Sequence, residues 1–165
     1  MYNLNYKFPD TKAYEFVVNR LEERGITIND IAEIAKETQK KFHPSIPLEQ
    51  YVKNTIDVLH KREILNNAMV GLELDRLATE KKLEQPLQDI IANDASVFGV
   101  DEGLALNMAN IYGTIGVTNF GFLDKEKTGK IASLDRNSKH INTFIDDIVG
   151  AIATAVSAKI AHEYA

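Results

Sequence analysis

Cysteine is absent from the chain. That absence excludes a disulfide framework, a thiolate nucleophile and a zinc-thiolate site. Basic excess is missing too: the formal net charge is -5, and Lys and Arg are scattered rather than gathered on one helix, so nucleic acid is not an expected partner. The opening MYNLNYKFPD lacks the basic and apolar regions of a secretory leader, which makes the cytoplasm the expected location. No period-2 alternation lasts long enough for a strand, and there is no internal repeat or low-complexity run. Only one segment, Ile141 to Ala158, approaches the length of a membrane span. Two Asp residues and many small residues at its middle argue for a buried helix of a water-soluble domain instead.

What remains is an ordinary globular composition: 165 residues, 44% hydrophobic and 26% charged. Such a chain makes one domain, residues 1–165, able to bury roughly two thirds of its unfolded surface. Helical spacing recurs along it. Thr11 is placed to cap a first helix running to about Arg24 and ended by Gly25. Thr27 with Asp30 reads as a capping box opening a second helix to about Phe42. Two prolines then break the chain at residues 43–47. Leu48 to about Lys82 is one long helix, or two with a bend near His60. Pro86 suits the first turn of a short helix from Leu87, and Val100 to Ile111 forms another. Residues Asp94 to Gly99 form a connector, and the stretch YGTIGVTNFG, Tyr112 to Gly121, has three glycines and reads as the most flexible internal segment. An all-α bundle of about six or seven helices follows.

The organising segment is the last one. Ile141, Ile145, Ile148, Val149, Ile152, Val156 and Ile160 share one broad stripe, and Gly150, Ala151, Thr154, Ser157, Ala158 and Ala161 occupy the other side. A helix without a polar face is packed on most sides, so this is the expected central helix. Asp146 and Asp147 are its only charges between Ile141 and Ala158. Burying an unpaired carboxylate costs several kcal/mol by the usual order of magnitude, so the pair requires a partner. Two further acidic features precede it, Asp101-Glu102 and Asp124. An all-oxygen set of this kind suits a hard cation, Mg²⁺ first, with Ca²⁺ or Mn²⁺ as alternatives. Asp101 and Glu102 alone are better explained by the dipole of the helix they open. The four histidines show no metal-binding spacing. On the long helix, Glu73 and Asp75 interrupt AMVGLELDRLA, and Glu73 is read as pairing with Arg76. YGTIG lacks the GxxxxGK[ST] pattern of a nucleotide loop.

Three motifs in order carry a resemblance. VDEGLAL, FLDKEKTGKIASLDRN and IDDIVGAIA resemble the DExxG helix, the LDxxKPxPI-type segment and the DDxxAG helix of the phosphatidylglycerophosphatase A family. The whole chain is also similar to the soluble low temperature requirement C group within it. The likeness of motifs spans about residues 100–153. It departs from the family at Gly103, Thr128, Lys130 and Gly150, and at the missing PGTxGS segment. The resemblance implies a Mg²⁺-dependent phosphatase of a phosphomonoester such as phosphatidylglycerophosphate or a related lipid precursor. It places Asp101, Glu102, Asp124, Asp146 and Asp147 on the metal, and Asp146, Asp147 and Lys127 in catalysis. Lys127, helped by Arg136 or Lys130, would neutralise the phosphate, although a solvated surface lysine is its ordinary reading. Expected partners are a phosphorylated small molecule or lipid headgroup, with peripheral membrane contact and a homo-oligomer both compatible with the sequence. The alternative function is a non-catalytic, metal-stabilised helical module that binds a protein.

Overall fold

The computed structural model describes residues 5–126, 129–135 and 139–165. Nine α-helices and no strand are present among the described residues. They are α1 (Asp10–Glu23), α2 (Ile28–Gln39), α3 (Leu48–Leu59), α4 (Arg62–Thr79), α5 (Leu87–Ala92), α6 (Val100–Ala109), α7 (Thr114–Glu126), α8 (Gly129–Asp135) and α9 (Ile145–Glu163), with a 3₁₀ turn at Asn110–Tyr112. The all-α class and the central C-terminal helix agree with the sequence. Every residue of α9 from Ile145 through Ala158 is buried. Helices α2, α3, α4, α6, α7 and α8 pack around it, and α1 lies outside against α4.

Local signals explain most boundaries. The capping box at α2 is complete: the Asp30 amide donates to Thr27 Oγ1 at 3.2 Å, and the Thr27 amide donates back to Asp30 Oδ2 at 2.8 Å. Gly25, with φ +77°, closes α1, and the Ile26 amide reaches back to Leu21 O at 2.9 Å. The chain does turn at His60, so the long segment is two helices. Thr11 is not a cap, because α1 already begins at Asp10 behind Pro9, whose carbonyl accepts the Ala13 amide.

The largest departure is at YGTIGVTNFG, where the glycines suggest flexibility and the chain is mostly helix. Only Gly113, at φ +87°, is in a conformation that stops a helix. Gly116 is needed for closeness: a Cβ there would stand 2.0 Å from Ala109 O, where the chain doubles back from α6, and 3.6 Å from the Ala158 methyl of α9. Its glycines therefore let α7 lie against the core. Together with α8 and the break at His60, this accounts for helices beyond the expected six or seven.

Candidate metal and phosphate centre

Three helix ends converge at one end of α9. Asp146 and Asp147 occupy its first turn, Asp101 and Glu102 the first turn of α6, and Asp124 the last turn of α7. Asp101, Asp146 and Asp147 are buried, Asp124 is half-buried and Glu102 is exposed. The helix-start positions of four of these carboxylates place them where the backbone dipole favours negative charge.

That favour is insufficient to offset burial. Asp147 is pushed up to about 8, first by desolvation and then by the negative charges of Asp146, Asp124, Asp101 and Glu102. Asp101 is also raised, by burial and by a hydrogen bond with Glu102, and its Oδ1 is buried without a hydrogen-bond partner among the described residues. A cluster whose members suppress one another's ionisation is one that a divalent cation would relieve.

Chemically the donors suit a hard ion: they are all carboxylate oxygens, and one buried oxygen lacks a partner. The side chains do not already form a cage. Among the described residues, no three acidic or histidine side chains come close enough together to hold one ion as they stand. The centre is thus an electrostatic cluster whose carboxylates would draw together on loading.

Of the sequence-derived residues, Asp101, Glu102, Asp124, Asp146 and Asp147 are brought within electrostatic reach of one another. Lys127 and Arg136 lie outside the described residues. Lys130 faces elsewhere, 3.5 Å from Asp30 and from the Gly25 carbonyl. Glu73 is paired with Arg76 and Arg20, so it stays on the surface.

Sequence reasoning underrated Asp75. Fully buried on α4, it accepts the Phe144 amide at 3.2 Å and the Ile145 amide at 2.9 Å. It thereby supplies the N-terminal cap that α9 lacks in its own side chains. This also explains why α9 starts at Ile145 rather than Ile141: Thr143 Oγ1 donates to Ile91 O at 2.7 Å, and the Ile141 amide donates to Thr79 Oγ1 at 3.0 Å, fixing residues 141–144 as a non-helical strap. Burial pushes Asp75 to about 8, outweighing the two amides and the nearby Arg24 charge, and Asp146 adds to the shift. The signal was present in the spacing of Ala68, Gly71, Leu72, Asp75 and Ala78, all on the buried face of α4.

The phosphatidylglycerophosphatase A family model matches residues 19–162. The chain belongs to the phosphatidylglycerophosphatase A family. It is 43% identical over 158 residues to the uncharacterized Bacillus subtilis protein YpjQ, covering 96% of this chain and 89% of that one. It is 48% identical over 144 residues to the uncharacterized Bacillus subtilis protein YutG, covering 87% of each. The crystal structure of YpjQ superposes with a TM-score of 0.90, at 43% identity, over 95% of this chain and 98% of the other. That of the low temperature requirement C protein from Listeria monocytogenes gives 0.88 at 44% identity, over 92% and 96%. This member of the phosphatidylglycerophosphatase A family therefore shares its fold with these relatives, and among its described residues no helix is long and apolar enough to cross a membrane.

Proposed function

We propose that this protein is a Mg²⁺-dependent phosphatase of a phosphomonoester, with phosphatidylglycerophosphate or a related lipid precursor as its substrate. The observation that carries the reading is the convergence of five carboxylates from three helix ends on buried Asp147. Membership of the family supports the reaction class. Asp101, Glu102, Asp124, Asp146 and Asp147 would hold the cation. Such an ion, with Mn²⁺ or Ca²⁺ as substitutes, supplies neutralisation of phosphoryl oxygens and acidification of a water.

The chain's own residues set the rest. Asp147, which burial and the surrounding carboxylates hold above the ordinary carboxylate range, would be ionised with a cation beside it and would then be placed to orient a water. Asp75 holds the first amides of α9 in place, and so fixes the two carboxylates that follow them. Lys127 is the proposed charge partner of the phosphate. A lipid headgroup would be met from the cytoplasm, at the membrane surface.

The experiment is an assay of purified protein with Mg²⁺ against p-nitrophenyl phosphate and phosphatidylglycerophosphate, repeated on Asp147→Asn. Turnover that depends on both Mg²⁺ and Asp147 is expected. No turnover of either substrate would leave the second reading, a metal-stabilised module that binds a protein, which the missing PGTxGS segment favours.

A further inference from the structure

Asp146 lines a second concavity that does not include Asp101, Glu102, Asp124 or Asp147. A cleft of about 390 Å³ opens beside residues 139–143, against the C-terminal ends of α4 and α5. Its lining brings Lys81, Lys139 and His140 to the same space as Asp146, with Asp94 as a further carboxylate. The frame is tied on both sides. Thr79 Oγ1 accepts the Ile141 amide, and buried Gln88 donates to Ala78 O at 2.9 Å while accepting the Leu83 amide at 3.1 Å.

Two of the lining residues have left-handed backbones, Lys81 at φ +56° and Asp94 at φ +44°. Each directly follows the last residue of a helix cap. Lys82 N reaches Leu77 O at 2.9 Å, and Ala95 N reaches Ile90 O at 3.0 Å, the 6→1 bond of a glycine-type helix ending. Aspartate tolerates that conformation, whereas lysine gains nothing local from it and glycine would serve the turn better. Lys81 thus brings an ammonium group, from a backbone conformation that favours glycine, to a cleft that also holds His140 and a carboxylate of the candidate cluster.

We propose that this cleft is the subsite for the anionic phosphoryl group of the substrate, recognised by Lys81 and His140 next to Asp146. The inference rests on the phosphatase reading above. An ammonium and an imidazole offer separate donors to a tetrahedral oxyanion, and a cation held at Asp146 would turn the balance of the cleft positive. These residues bind and position the phosphate, and no bond is made or broken by them.

The test uses the full-length protein with Mg²⁺ and titrates inorganic phosphate by calorimetry. Lys81→Gln, His140→Gln and the double variant are compared with wild type and with Lys125→Gln, an exposed lysine of α7 outside the cleft. The double variant should bind phosphate at least about tenfold more weakly, with Lys125→Gln unchanged. Lys81→Gly, which relaxes the turn, should weaken binding while folding normally. Failure of the wild type to bind phosphate, or less than a twofold change in the double variant, overturns the subsite. Turnover separates the two ideas. Phosphate binding that depends on Lys81 without turnover sinks the phosphatase reading and leaves the subsite, whereas turnover with unchanged KM in the double variant sinks the subsite alone. Competition by glycerol 3-phosphate or by phosphatidylglycerophosphate in detergent micelles tells a free phosphomonoester from a lipid headgroup, and competition by neither overturns the assignment.

Discussion

The Asp75 carboxylate of α4 accepts the backbone amide of Ile145 at 2.9 Å, one residue before the Asp146-Asp147 pair. One buried acid thus anchors the turn that carries two others. Asp75→Ala would leave two buried amides without an acceptor, at a cost of about 2–4 kcal/mol. Chemical denaturation should show that loss, with a smaller one for Asp75→Asn, which keeps one acceptor oxygen. Mg²⁺-dependent activity should fall in both, since the amides they release sit directly ahead of Asp146.

Asp147→Asn separates stability from function. It removes a buried acid whose folded-state value is raised above that of the unfolded chain, so the metal-free protein should gain about 1 kcal/mol or more at neutral pH. The same variant should lose the rise in melting temperature produced by Mg²⁺, together with about 100-fold or more of any phosphatase activity. A melting curve that still responds fully to Mg²⁺ would remove Asp147 from the metal.

Acidity should act on the metal-free protein in an uncommon direction. Asp75 and Asp147 each have a folded-state value near 8, above the ordinary 3.8 of the unfolded chain. Between those limits the folded state binds more protons than the unfolded one, so stability rises as pH falls from about 8 towards 5. The proposed Mg²⁺ would displace protons from the cluster, so its apparent affinity should increase over the same span as pH rises. Thermal unfolding at several pH values, with Mg²⁺ and with chelator, reads both slopes.

Two glycines of α7 should respond oppositely to alanine. At Gly116 the new methyl would collide with the Ala109 carbonyl at 2.0 Å, and backbone cannot yield cheaply, so a loss of about 3 kcal/mol or more is expected. At Gly121 nothing lies within 4 Å, and Gly121→Ala should stabilise by about 0.5–1 kcal/mol through helix propensity. Urea titration distinguishes the two.

Lys81→Gly should stabilise the fold by about 1 kcal/mol, because glycine adopts φ +56° freely. The loss of phosphate affinity expected for the same change gives it opposite signs in two measurements made on one sample.

Much of this was written in local pattern. The Thr27–Asp30 capping box is satisfied atom for atom, and the absence of a polar face on residues 145–158 correctly placed that helix at the centre. Asp146 and Asp147 were readable because they stand in an apolar segment with no solvated face, whereas Asp101 and Glu102 became informative only beside them. Less visible was anything created by approach between distant segments. Glycine at 116 looks like flexibility until the Ala109 carbonyl is beside it, and Asp75 looks like a surface acid until the strap at 141–144 brings two amides to it. Likewise Lys81 and His140 are 59 positions apart, and only the cleft makes them neighbours.

The helix on which most of the others rest comes after them in the chain. During synthesis, α1 to α8 emerge with their apolar faces prepared for a companion that the ribosome has not yet made. Local pairs such as α2 with α3 and α1 with α4 can form early, but a shared interior cannot. Completion of the fold is therefore a late and single event, the arrival of α9, and that event also delivers Asp146 and Asp147 to the carboxylates awaiting them on α6 and α7. Any truncation that removes α9 would leave adhesive fragments rather than a smaller working protein.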